Sequence, residues 1–221
     1  MTKLSEGLEE YASEYMLSMH GWCTPEKARD LMRTVLEEKP KVVVEIGVFA
    51  GKSLFALGAA MEEIKSEGKV YGIEPWNNVA CAQGYEKEDP NRMWWEGLNM
   101  GQIERAFYAV RSYLNLGERV VVLKTKSSNA VEKFRELHRA GTPIDLLHID
   151  GNHSEEASTS DVDLFMPLVK PGGVVFMDDL NWDSTKRAQE KMLDFCGEPR
   201  VEKGEAHCYG VYKKREESEE A

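Results

Sequence analysis

The chain of 221 residues is 42% hydrophobic and 30% charged, which suits one α/β domain with a sizeable core and leaves too little for two. Its formal net charge of −11 excludes an unassisted grip on nucleic acid, which needs clustered Lys and Arg. No apolar run approaches the roughly 20 residues that span a bilayer, and the opening MTKLSEGLEE lacks the apolar core of a signal peptide.

Cys23, Cys81, Cys196 and Cys208 are widely spaced and read as reduced thiols, so the expected location is cytoplasmic. Leu4, Leu8, Tyr11, Tyr15 and Met19 predict an amphipathic helix over residues 4–19. Its stripe would cover the domain, cap a pocket or pair two copies as a homodimer. Thr24-Pro25-Glu26 is an N-cap followed by proline at the first helical position, and it opens a second helix. That helix buries Ala28, Leu31, Met32, Val35 and Leu36 and stops at Pro40. Residues 1–40 thus form a helical cap and residues 41–213 the main domain. Residues 214–221, with Glu216, Glu217, Glu219 and Glu220, form an acidic disordered tail.

Lys41–Ile46 is a β-branched strand of the kind buried on both faces, followed by a turn over Gly47–Gly51 and a helix carrying Leu54, Phe55, Leu57 and Met61. Lys69–Ile73 is a second strand, ending in Glu74-Pro75-Trp76, and the strand–helix–strand alternation signals a parallel sheet. Periodicity is lost from Asn77 to about Asp89, and Asn91–Leu116 reads as one long helix or two short ones. Arg119–Leu123 is a third strand and Ser127–Arg139 a helix. Ile144–Trp182 reads as strand, polar turn, helix, Pro-Gly-Gly turn, strand, and a helix over residues 184–196 follows. Arg200–Lys203 and Cys208–Tyr212 close the chain as an antiparallel hairpin at the sheet edge.

Candidate chemistry gathers where strands run into acid. Glu45-Ile46-Gly47-Val48-Phe49-Ala50-Gly51 is ExGxxxG, distinct from the GxGxxG of dinucleotide binders, and suits a ligand without phosphates. Glu74, at the tip of the second strand, can accept hydrogen bonds from the ribose hydroxyls of an adenosine ligand. Asp150, Asp178 and Asp179 end two later strands. Three carboxylates without a His or Cys cluster favour Mg²⁺ or Mn²⁺, although each could equally cap a turn or helix. His153, placed on the first turn of the following helix, is a candidate base for a substrate hydroxyl or else an N-cap. His148 reads as a core histidine, and Trp76, Trp94 and Trp95 as core packing or a lid over an apolar or sugar-like acceptor.

EIGVFAGKS, YGIEPW, LKTKSS and LLHIDGNHSEEASTSDVDLFMPLVKPGGVVFMDD together resemble the motifs of class I S-adenosylmethionine-dependent methyltransferases. The likeness is to the branch with a DGxH turn and a PGG–strand–DD ending, akin to metal-dependent sugar and small-molecule O-methyltransferases. It implies a Rossmann-like, seven-stranded, mostly parallel sheet with the last strand antiparallel and helices on both faces. It also implies that Glu45, Gly47, Gly51 and Ser53 line the methionine end of the cofactor, Glu74 holds the ribose, and Ser127 or Ser128 lies near the adenine. Asp150, Asp178 and Asp179 would then be the metal acids, and His153 stands where relatives carry a base lysine. The expected activity is metal-assisted O-methylation of a small-molecule hydroxyl. The rivals are a metal-independent N- or O-methyltransferase, a nicotinamide-dependent oxidoreductase and a non-catalytic adenosylmethionine-binding protein.

Overall fold

The structure, a computed structural model, describes residues 2–216. Its seven-stranded sheet runs in the order β3-β2-β1-β4-β5-β7-β6. The strands are β1 (Val42–Ile46), β2 (Lys69–Ile73), β3 (Val120–Leu123), β4 (Ile144–Ile149), β5 (Val169–Met177), β6 (Arg200–Lys203) and β7 (Cys208–Lys213). Strands β1 to β5 pair in parallel, and β7 lies antiparallel between β5 and β6. Every residue of β1 is buried, as its β-branched run requires of a central strand.

Helices cover both faces. On one lie α1 (Glu6–Ser13), α2 (Pro25–Glu38), α3 (Lys52–Glu63) and α6 (Met100–Tyr113), which share a core containing Leu8, Leu31, Phe55 and Phe107. On the other lie α7 (Ser127–Arg139), α8 (Glu155–Phe165) and α9 (Lys186–Phe195), around Phe134, Phe165 and Met192. Two short helices, α4 (Asn78–Cys81) and α5 (Pro90–Gly97), lead into α6.

Four expectations change. The N-terminal helix ends at Ser13 and gives way to a 3₁₀ turn, Tyr15–Ser18. Most of its stripe is spent on the chain's own core: Leu4, Leu8 and Tyr11 are buried, Met19 packs against them, only Tyr15 is exposed, and the Tyr11 hydroxyl donates to Lys52 O at 2.7 Å. That face therefore offers no argument for a homodimer. Pro171-Gly172-Gly173 is not a turn before β5 but part of it: Gly172 takes φ +69°, and the register jumps from Ile144–Val169 to Leu146–Val174, so the extra residues bulge out of β5. His153 precedes α8, whose N-cap is Ser154. The expected tail begins too early, since Lys214 Nζ donates to the carbonyls of Met166 and Val169 and Arg215 N to that of Phe195. Residues 217–221 lie outside the described residues. Between α5 and α6, Asn99 caps the second helix by accepting from Gln102 N, so the 91–116 stretch is two helices.

The register aligns what matters. Ile46 pairs with Ile73 on one side and Ile149 on the other, and Ile149 pairs with Met177. Gly47, Glu74, Asp150 and Asp178 each follow one of these residues, so they share one row at the carboxyl edge. The strand order reverses between β1 and β4, and such a switch point opens a crevice for ligands.

Candidate active site

One cavity of about 800 Å³ opens along this row, within the range of small-molecule sites. Its first end is built on the β1–α3 turn. Gly47 has φ +86°, and a side chain there would put Cβ 1.9 Å from the Asp150 carbonyl oxygen, so only glycine fits between the two strand ends. The Glu74 carboxylate accepts from Val48 N at 3.2 Å, Phe49 N at 3.0 Å and Trp76 N at 2.8 Å. A carboxylate offers about four acceptor positions, so capacity remains for a ligand hydroxyl. Burial raises the Glu74 pKa, opposed by these N–H groups. Phe49 and Trp76 both have positive φ, and Trp76 Nε1 donates to Phe49 O at 2.9 Å, which locks the loop in that strained shape. Gly47, Ser53, Glu74, Ser127 and Ser128 all line the cavity.

Glu45 does not. It is fully buried, accepts from Ser53 Oγ at 2.9 Å and meets His148 Nδ1 at 3.0 Å, so it lies beneath the wall it was expected to line. The register explains this: Glu45 and His148 are direct partners across β1 and β4. Gly51 does not line the cavity either: at φ +94° it packs beneath the turn, where a Cβ would strike Phe55 and Phe107.

The second end is charged. Lys27, reaching from α2 and 2% exposed, donates through Nζ to Asp150 Oδ2 at 3.3 Å and to Asp178 Oδ2. His148 Nε2 faces the same two oxygens at 3.9 and 3.7 Å and has no hydrogen-bond partner among the described residues. On the cavity side, His153 Nε2 lies 2.8 Å from Asp179 Oδ2 and 3.9 Å from Asp150 Oδ1, and its ring packs against Trp182. Asp179 takes φ +58° to aim its carboxylate this way.

These neighbours set the charge states. Burial would strip the proton from Lys27, but Asp150 and Asp178 outweigh it and hold the ammonium above its usual range. Burial also opposes charge on His148 and His153. Glu45 and Asp178 nevertheless carry His148 up to about 9, and Asp150 and Asp179 carry His153 up to about 10. Burial and Asp178 push Asp150 up to about 6, whereas Lys27 and His148 overcome burial to hold Asp178 below the usual carboxylate range. His153 is therefore a proton donor at neutral pH and Asp150 the readier acceptor, which inverts the base role read for His153 from sequence.

The three expected metal acids do not come together as one set: His148, Asp150 and Asp178 form one group whose side-chain atoms could hold an ion, and Lys27 contacts the carboxylate oxygens there. The side-chain atoms of Asp150, His153 and Asp179 form a second group within 4.8 Å of one another, in which Asp150 also meets Lys27 through Oδ2.

Sequence reasoning missed Lys27, the Glu45–His148 pair, Asn152 and Trp22. Lys27 had a signal: it is four residues before Leu31 and eight before Val35, on the stripe that α2 buries. Asn152 Nδ2 donates to Cys81 O at 2.8 Å and Gln83 O at 2.9 Å, which ties the aperiodic segment to the site. Trp22 packs at ring distances of 5.0 Å from Trp94 and 5.3 Å from Phe49, so the cap and α5 build an aromatic cluster on the cavity wall. Trp76 is core, buried against Phe107. Thr24 Oγ1 meets His207 Nδ1 at 3.1 Å, joining the cap to the β6–β7 hairpin beside the cavity.

The profile of the methyltransferase-domain family matches residues 44–180, which hold Glu45, Gly47, Glu74, Asp150 and the Asp178–Asp179 pair. The chain belongs to the methyltransferase-domain family. This methyltransferase is similar in fold to TomG, an O-methyltransferase of Streptomyces achromogenes involved in tomaymycin synthesis and solved with SAM. The identity is 15%, with 97% of this chain and 92% of that chain covered at a TM-score of 0.60. It is also similar to an O-methyltransferase from Bacillus cereus solved with SAH, at 15% identity, 96% and 92% coverage and a TM-score of 0.59. Family and fold together make it a methyltransferase with the fold of those two enzymes. No described helix is long and apolar enough to cross a membrane.

Proposed function

We propose that the methyltransferase transfers the methyl group of S-adenosylmethionine to an oxygen of a small-molecule acceptor. The observation that carries this reading is the two-ended cavity. Gly47, Ser53 and Glu74 suit the adenosine and methionine parts of the donor at one end, and Asp150, His153 and Asp179 form a proton-handling edge at the other. The acceptor oxygen forms the new C–O bond as the C–S bond of the sulfonium breaks, leaving a neutral thioether. The hydroxyl proton passes to Asp150, and His153 donates a hydrogen bond to the reacting oxygen. Binding both reactants in one enclosed space supplies orientation, the main contribution such transfers need. The aromatic cluster of Trp22, Phe49, Trp94 and Trp95 supports an acceptor with an apolar or planar body.

The test is methyl transfer from labelled S-adenosylmethionine over phenols, sugar hydroxyls and amines, with SAH binding measured alongside. Asp150→Asn is expected to lower kcat more than about 100-fold, the scale of a lost proton acceptor, while SAH affinity stays within about threefold. Transfer to amines alone would overturn the oxygen assignment. A second reading, favoured by the grouping of Asp150, His153 and Asp179, has these three hold a divalent ion such as Mn²⁺ or Mg²⁺ that acidifies the acceptor hydroxyl. Loss of turnover in EDTA and its return with added ion would select it.

A further inference from the structure

The Asp150–Asp178 pair poses an electrostatic problem that the chain solves internally. Two carboxylates at the ends of adjacent strands, both largely buried, repel unless a cation lies between them. In a metal-assisted enzyme of this kind the cation is a divalent ion. Here a side chain is already in that place. Lys27 is four residues before Leu31 on the buried stripe of α2, which directs its stem inward beneath the cap. Its ammonium contacts one oxygen of each carboxylate, and the Tyr209 ring lies 5.9 Å away on the flank. Fully buried His148 turns an unpartnered Nε2 toward the same oxygens.

We propose that Lys27 is the resident cation of the Asp150–Asp178 pair, a positioning residue that takes the place of a divalent ion there. The two occupants exclude each other. An ion would ligate the carboxylate oxygens at about 2.0–2.1 Å, and an ammonium hydrogen-bonded to the same atoms would lie against it as a like charge. The lysine holds Asp178 ionised and fixes the Asp150 carboxylate with its other oxygen, Oδ1, toward His153. The cation thus comes with the N-terminal cap rather than from solution. This rests on the proposed reaction only in that it concerns the same edge, and its test does not need turnover.

Mn²⁺ binding, followed by electron paramagnetic resonance, decides it in wild type, Lys27→Met, the Lys27→Met/Asp178→Asn double variant and Asp178→Asn alone. Lys27→Met is expected to gain a Mn²⁺ site that wild type lacks, with affinity at least tenfold above any wild-type binding. The double variant is expected to lose it again. Equal stoichiometry and affinities within about threefold in wild type and Lys27→Met would overturn the proposal. Should Lys27→Met fail to fold, the other single variant decides. Wild-type Mn²⁺ binding, including none at all, that Asp178→Asn leaves unchanged supports Lys27 as the occupant, and binding that Asp178→Asn abolishes refutes it. A protein that methylates nothing would sink the functional reading while leaving this result intact.

Discussion

Asp161 gives the sharpest quantitative test of the electrostatics. It lies on α8, 3% exposed, on the cavity wall. Burial raises its pKa from 3.8 to about 7, with a hydrogen bond to Ser127 pulling the other way. In the unfolded chain the group ionises near 3.8, so between that pH and 7 the folded chain binds more protons than the unfolded one. Stability must then fall as pH rises through this window and level off above it. The difference corresponds to ~4 kcal/mol at full development. Asp161→Asn keeps the shape and cannot ionise. Urea unfolding of the ligand-free proteins should show the variant gaining on wild type by about 2 to 3 kcal/mol between pH 5 and pH 8. Comparing the two proteins at each pH cancels the other titrating groups. A stability difference constant within about 0.5 kcal/mol across that range would refute the claim that a buried, uncompensated acid resides there.

Two further expectations concern the cavity walls. Glu74→Gln replaces an acceptor of three backbone N–H groups with a side chain that turns an NH₂ toward one of them. SAH affinity by calorimetry should fall about 30- to 100-fold, and a change under threefold would remove Glu74 from the binding site. Asn152→Ala removes the bonds to Cys81 O and Gln83 O, about 2 kcal/mol in all. Amide exchange over residues 78–85 should speed up ~30-fold while β1 and β4 stay protected, and unchanged exchange would show that the segment is held by other contacts.

The alternation of β-branched runs with helical stripes made the parallel sheet legible, because both periods follow from which face is buried. The helix Ser127–Arg139 agrees to the residue, and Thr24-Pro25 begins α2 as its cap chemistry requires. The acid at each strand end was legible for the same reason, since an apolar run that stops in a carboxylate has reached the sheet edge. What a single sequence hides is pairing. Nothing local to Glu45 says that His148 lies across from it, and nothing local to Asp178 says that a lysine 151 residues earlier satisfies it. Glu45 was assigned to the cavity wall because its partner His148 could not be read, and His153 to the base because nothing local sets its ring against Asp179. The Pro-Gly-Gly stretch misled for a backbone reason, its glycine conformation serving a bulge within β5 rather than a turn before it.

The contact between Thr24 and His207 spans 183 residues, and that between Lys27 and Asp178 spans 151. During synthesis the lysine leaves the ribosome long before its acids, and the hairpin that meets the cap follows them. The Asp150–Asp178 pair therefore gains its counter-charge only when α2 meets the ends of β4 and β5, and β5 remains an open sheet edge until β7 docks beside it. A shortened product ending before Cys208 would carry all the motif residues and still lack β7 and the segment that packs over the site. The site's walls are thus drawn from well beyond the matched residues, and a fragment trimmed to 44–180 would miss Lys27 as well as the hairpin.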